Sequence, residues 1–405
     1  MDMKFAHMAD CHIGAWRDPK LKDLSTDAFV KSVDVCIQQQ VDFVLVAGDL
    51  FNTALPGIDG LKTVVKAFKK LKEHQIPVYM IAGSHDFSPS GKTMIDVLEE
   101  AGLAKNVVKG TVQDDKLVLK FTIDKKTGAK ITGMLGKRGM LEKKFYENLD
   151  KDALETEDGF KIFMFHSSIT ELKPEDMGLM DSYEISYLPK GFEYYAGGHV
   201  HIVKQYNTPE YKNVIYPGPI FPASFSEIEK LGNGGFYIYD DGKIIRQDIN
   251  VKNTFLINVS ADNKLPQEVY DLILQRISKK EFLNTIVLLR VAGKLKSGKV
   301  SDIDFKEVFN KLSLQGAYFV MKNTTRLVSP DFEEIQIEEK TLEEVEDAII
   351  KEHLQQIKVS NFDKNIEYGM TKNLLSVFES EKHEGEKVYE YEDRIRKEIN
   401  HLLGI

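Results

Sequence analysis

Eight residues carry side chains that could do chemistry together: Asp10, His12, Asp49, Ser84, His85, His166, His199 and His201. They fall in five short groups, Asp10-Cys11-His12, Gly48-Asp49, Gly83-Ser84-His85-Asp86, His166-Ser167-Ser168 and Gly198-His199-Val200-His201. Five of the chain's ten histidines lie in these groups, so they are concentrated rather than scattered. Carboxylate oxygens and imidazole nitrogens without thiolate suit borderline divalent ions such as Mn²⁺, Fe²⁺ and Zn²⁺. The ligands outnumber what one four-coordinate ion takes. Two ions about 4 Å apart, sharing one carboxylate, would use them and leave positions open for water and substrate.

Each group comes directly after an apolar run, at residues 4–9, 41–47, 76–81, 160–165 and 193–196. Near-continuous apolar runs of this length read as buried parallel strands. In open α/β sheets, ligands bind beyond the carboxyl ends of the strands. Strand alternation sends Asp10 and His12 to one side and Cys11 to the other. Helices are expected at about 26–40, with Ser25 as N-cap after a polar loop at 16–23, and at 58–74 and 94–101. Residues 117–123 and 130–135 read as a hairpin-like pair. Strands near 213–216 and 235–239 are expected to complete a second sheet. The result is an α/β fold with a two-sheet layered core.

From about residue 254 the rhythm changes to strand, helix, strand, helix, strand without polar strand ends, a small α/β domain. The expected division is 1–250, 251–330 and 331–405. The last segment holds 20 acidic and 10 basic side chains out of 63 and 54, so it carries −10 and the body only +1. A neutral body does not exclude nucleic acid, and local basic loops would decide the matter. Leu342, Val345, Ile349 and Leu354 form one apolar stripe in this tail, and Val388, Tyr391, Ile395, Ile399 and Leu402 another, around a polar connector at 355–364. Such narrow stripes have little core of their own and must dock on something. No apolar run approaches a membrane span, nothing reads as a signal peptide, and two cysteines give no disulfide framework; a cytoplasmic or nucleoid location is expected.

The five groups, in this order, resemble the calcineurin-like metallophosphoesterases. Within that superfamily, Asp10-Cys11-His12-Ile13-Gly14, Gly48-Asp49-Leu50-Phe51 and Gly198-His199-Val200-His201 resemble the DNA double-strand-break-repair nucleases of the Mre eleven/SbcD type. The resemblance implies a small capping domain and a helical C-terminal tail. It implies one metal held by Asp10, His12, Asp49 and His201, and a second held by Asp49, Ser84, His166 and His199, with manganese in both. His85 would stand by the phosphate as a catalytic group, with Asn52 beside it. The family usually has asparagine where Ser84 stands, which predicts weaker binding of the second ion. Asn52 stands where these nucleases often carry histidine; it can hold His85 but cannot shuttle a proton. The implied activities are 3′–5′ exonuclease and single-strand endonuclease. The implied partners are DNA, a Rad fifty/SbcC-type coiled-coil ATPase on the tail helices, and a second copy through the helices at 58–74 and 94–101. The competing readings are a phosphodiesterase or phosphatase for other esters, and a catalytically weak DNA-end-binding scaffold.

Other candidates carry less. Arg17, Lys20, Lys22, Lys92, Lys137, Arg138, Lys143 and Lys144 could touch backbone phosphates, or could simply be solvated surface charge. Ser88-Pro89-Ser90-Gly91-Lys92-Thr93 lacks the earlier glycine of a phosphate-binding P-loop, because position 86 is aspartate. His7 and His74 lie away from strand ends and read as structural. Cys11 reads as a small buried hydrophobe. Trp16 could stack on a base or pack on its own loop.

Overall fold

The structure is a computed structural model, and it describes residues 3–88, 91–137, 139, 141–174, 180–278, 280–329, 347, 350, 354, 363–380, 382–383 and 386–403. Its contacts divide into two compact units. One comprises Met1–Val259, Tyr270–Val291 and Asp304–Thr325, the other Ser260–Val269, Ala292–Ile303 and Arg326–Ile405.

The first unit is built on two six-stranded sheets. In one sheet, Lys4–Met8, Phe43–Ala47 and Val78–Ile81 run parallel and adjacent. In the other, Lys161–His166 and Tyr194–Gly198 do the same. All five strands are buried along nearly their whole length, as their apolar composition demands. Phe5, Phe43, Leu45, Ile162, Met164 and Tyr194 share one buried cluster between the sheets. The parallel direction brings all five carboxyl ends to one edge, with the five residue groups on them.

Several elements differ from the sequence expectation. The first helix is Pro19–Gln38, starting about two turns early, because Pro19 pre-sets the first turn and Asp18 accepts the Lys20 N–H as N-cap. Ser25 lies inside that helix and donates back to Lys22 O. The strand Gly234–Asp240 does not join the second sheet; it pairs antiparallel with Lys4–Met8 in the first. Lys116–Leu119 pairs with Gly110–Gln113 across a turn at Asp114 and Asp115, both left-handed, while Thr122–Ile123 pairs with Lys130–Gly133. The other helices fall where expected, at Ile58–Glu73 and Met94–Glu100.

The small sheet has Thr285–Lys294 between Asn253–Ser260 and Phe319–Asn323. Within the first unit, Ile286 and Leu288 belong to the same buried cluster as Met8 and Val46. In the second unit, Lys364–Glu379 and Val388–Leu403 form two helices. The first of these coincides with neither apolar stripe of the tail. Tyr391, Ile395, Ile399 and Leu402 are half-buried along one face of the second, as the stripe predicts. Of the other stripe, only Leu354 lies among the described residues. No helix among the described residues is long and apolar enough to cross a membrane.

Candidate metal centre

The first two strand ends stay paired beyond the sheet. Asp10 N–H donates to Gly48 O at 3.2 Å, His12 N–H to Asp49 O at 3.0 Å and Ile13 N–H to Leu50 O at 3.0 Å. This places Asp10 and His12 directly against Asp49. Asp49 then acts as a hub. One carboxylate oxygen accepts the His85 backbone N–H at 2.7 Å. The other lies 3.1 Å from His166 Nε2, 3.7 Å from His12 Nε2 and 3.4 Å from Ser84 Oγ. The Asp10 carboxylate accepts the His199 backbone N–H at 2.9 and 3.1 Å and lies 3.7 Å from His201 Nε2.

Ligand atoms converge in three groups: Asp10, His12 and His201; Asp49, His166 and His199; and His12, Asp49 and His85. All eight chemically suggestive residues of the sequence therefore meet. Ser84 comes near through its contact with Asp49. The His85 ring is held by a 2.8 Å bond between Nδ1 and the main-chain carbonyl of Asn52, so the side chain at position 52 is not what holds it.

The backbone supports the same assignment. Asp10, His12, Asp49, His199 and His201 all have positive φ, at 50°, 41°, 49°, 99° and 54°. Such conformations cost on the order of 1–3 kcal/mol each in non-glycine residues and cluster at functional sites. Gly48, at φ +85°, leads into Asp49 where a side chain would strike the His166 ring.

Two groups were not singled out by sequence reasoning. Asp86 is buried, and its carboxylate accepts the Phe51 N–H at 3.2 Å and the Gly83 N–H at 2.9 Å, tying the two loops together. Burial and the nearby Asp49 charge push its carboxyl up to about 7. Glu227 places a carboxylate oxygen 3.2 Å from His201 Nδ1. The signal for it was the Ser224-x-x-Glu227 spacing of a capping box.

The residues fit divalent metal ions. His166 Nε2 is a buried nitrogen without a hydrogen-bond partner, turned toward the Asp49 carboxylate. His12 and His201 point Nε2 at Nε2, 2.9 Å apart, which leaves these atoms one shared proton at most. Burial holds the His12 and His199 imidazoles down, to about 3 and about 4, so both stay neutral ligands near neutral pH. Burial pulls His166 down as well, but the Asp49 carboxylate outweighs it and raises the ring to about 10. His201 is raised to about 8, Asp10 and Glu227 overcoming its burial. Without metal, protons on these rings balance the carboxylates; an ion would displace them.

The model of the calcineurin-like phosphoesterase family matches residues 3–203, which span all the ligand groups. The chain belongs to the calcineurin-like phosphoesterases. Among curated proteins it is similar to the DNA double-strand break repair protein Mre11 of Methanococcus maripaludis, 27% identical over 395 residues, covering 92% of this chain and 95% of that one. The Archaeoglobus fulgidus protein of the same name is 26% identical over 322 residues, covering 74% of this chain and 70% of its own. That of Methanocaldococcus jannaschii is 32% identical over 253 residues, covering 59% and 62%.

In this phosphoesterase Lys137 lines a small cavity together with His199 of the metal centre. Lys137 sits 4.9 Å from the Phe145 ring centroid and 5.9 Å from that of Phe87, close to the His85 loop. Lys20 lies against Tyr318. Arg17, Lys22, Lys92, Lys143 and Lys144 are exposed, and Arg138 lies outside the described residues. Trp16 is committed to the fold, donating to Pro222 O at 3.1 Å and packing on the core. Cys11 is buried in that core. A groove of about 570 Å³ opens beside His199 and His201, with Val200, Ile202, Met180 and Leu231 in its walls.

Proposed function

We propose that this phosphoesterase is a manganese-dependent DNA nuclease, with 3′–5′ exonuclease and single-strand endonuclease activity, that processes double-strand breaks. The observation that carries the reading is the pair of ligand groups meeting at Asp49, with His85 bonded to the same carboxylate. Asp10, His12, Asp49 and His201 would hold one ion, and Asp49, Ser84, His166 and His199 the other. The ions supply Lewis acidity and an activated water for phosphodiester hydrolysis. Asp49 and Asp10 hold the turns in register through their bonds to His85 N and His199 N. His85 Nδ1–H is engaged by the Asn52 carbonyl, so Nε2 faces the substrate, and in the doubly protonated ring the Nε2 proton would be the one given to the leaving oxygen.

The similarity to the DNA double-strand break repair protein of Methanococcus maripaludis, which extends over nearly the whole chain, supports DNA breaks as substrate. Lys137 beside the His85 loop, with Arg17, Lys20, Lys92 and Arg138, would meet the phosphate backbone. In this reading residues 1–250 are the nuclease domain, 251–330 a DNA-binding cap and 331–405 a tail that docks on an SMC-like coiled-coil ATPase. Ile366 and Phe378 are exposed on the first tail helix at 49% and 62%, apolar surface suited to such docking. Exposed Leu55, Ile58 and Val97 would serve a homodimer.

The test incubates the full chain and its His85→Ala variant with Mn²⁺ and, separately, linear duplex DNA, single-stranded DNA and bis-p-nitrophenyl phosphate. DNA cleavage lost in the variant supports the reading. Turnover of the small ester alone makes the chain a phosphodiesterase of another kind. No turnover of any substrate makes it a DNA-end-binding scaffold. Co-purification of the ATPase with a chain ending near residue 330 would overturn the tail assignment.

A further inference from the structure

Three imidazoles of the centre are oriented in two different ways. His166 Nδ1 is bonded to the Ala47 carbonyl and His85 Nδ1 to the Asn52 carbonyl, both at 2.8 Å. These are main-chain partners that no substitution removes. His201 is turned instead by a side chain, the Glu227 carboxylate at 3.2 Å from Nδ1. His201 itself lies at φ +54°, just beyond the strand end.

Glu227 is itself fixed before it meets the ring. One carboxylate oxygen accepts the Ala223 N–H at 2.9 Å, and the other accepts from Ser224 Oγ at 3.1 Å. Ser224 in turn caps the helix Phe225–Leu231 by accepting the Glu227 N–H at 3.2 Å. Two residues on, Glu229 takes a bidentate pair from Arg290 of the strand Thr285–Lys294, with Nε at 2.6 Å. The Arg290 guanidinium also lies 5.1 Å from the Phe225 ring centroid. The helix that carries this carboxylate is thus capped at its N-terminus and pinned to the strand through Glu229.

We propose that Glu227 is a positioning residue for the metal held by Asp10, His12 and His201. Its carboxylate fixes the His201 tautomer with Nε2 facing the site and makes that ring a stronger donor. The proposal rests on the metal-centre reading above. Partners of this kind are conventionally worth roughly 10- to 100-fold in metal affinity. Because Glu227 reaches only His201, the effect falls on one of the two ions and leaves the ion at Asp49, His166 and His199 unchanged.

A capping role alone would make the contact with His201 incidental, so the test separates the two. Mn²⁺ binding to the full chain is measured by calorimetric titration for the natural protein, Glu227→Ala, Glu227→Gln and Ser224→Ala. Melting of each without metal reports the fold. The expected result is one site weakened about tenfold to hundredfold in Glu227→Ala, less in Glu227→Gln, and less again in Ser224→Ala, which keeps the carboxylate and its Ala223 bond. The glutamine variant, which keeps volume and a carbonyl acceptor, covers the case in which the alanine variant does not fold. Unchanged binding in both Glu227 variants, or an equal loss in Ser224→Ala, overturns the proposal. A natural protein that binds no Mn²⁺ overturns the metal-centre reading instead.

Discussion

His12 and His201, 189 residues apart, face each other Nε2 to Nε2 at 2.9 Å, each also 3.7 Å from a buried aspartate oxygen. Two imidazole nitrogens at that distance can share a single proton, and a cation between the aspartates satisfies both rings better. The first strand's end and the fifth's are brought to one point by the parallel direction of their strands.

In the proposed assignment Asp49 is the group that both ligand sets share. Asp49→Asn is expected to lower hydrolysis by at least about a hundredfold and to weaken both ions, since loss of one supporting partner alone conventionally costs 10- to 100-fold. Titration with Mn²⁺ checks it; one ion retained at natural affinity would show that Asp49 is not shared. The metal-free variant should also melt lower, because the buried His166 ring loses the anion that balances it.

Ser84 reaches Asp49 at 3.4 Å with a short neutral arm. Ser84→Asn, which offers an amide oxygen on a longer arm, is expected to tighten one of the two ions. Ser84→Ala, which removes a weak oxygen donor, should loosen the same ion modestly. Competition against a buffered chelator measures both, and equal affinities in the serine and asparagine proteins would show that position 84 is not a ligand.

Gly83 has no room for a side chain. A Cβ there would come within 2.8 Å of Asp49 Cγ, and closer to its backbone nitrogen. Gly83→Ala is expected to cost about 1–3 kcal/mol in urea unfolding, as overpacking does, and to move Asp49 enough to impair metal binding. Natural stability together with natural metal affinity would contradict this.

His7 gives a pH dependence away from the ligands. It is fully buried with Nδ1 bonded to the Tyr194 hydroxyl at 3.0 Å, and burial holds its imidazole down to about 3 from 6.5. Between those values the unfolded chain binds a proton that the folded chain does not, so stability falls as pH drops from 6.5 toward 3. His7→Asn removes this contribution. Its unfolding free energy, measured from about pH 7 to about pH 4, should decline less steeply than that of the natural protein.

Much of the centre was legible because it is local. A buried parallel strand is a continuous apolar run, and the residues just past its end must lie at the sheet's edge. Asp10, Asp49, His85, His166 and His199 could therefore be placed from their neighbours alone. The features that the sequence concealed depend on distant partners. Gly234–Asp240 reads equally well as a strand of either sheet until it is seen beside Lys4–Met8. Glu227 looks like an ordinary helix cap until His201 is set next to it. Asp86 stood inside the most conspicuous group, yet its use as a brace between Phe51 and Gly83 emerges only from how two loops meet.

The left-handed turns at Asp10, His12, Asp49, His199 and His201 have a consequence for how such a protein can change over generations. The fold carries their conformational cost whether or not an ion is present. A gene copy freed from selection for hydrolysis therefore gains stability by exchanging His12 or His199, whose side chains brace no turn, for glycine, which adopts such turns at no steric cost. Decay of the activity runs downhill for the scaffold, and relatives that keep the architecture while losing the ions are the expected descendants.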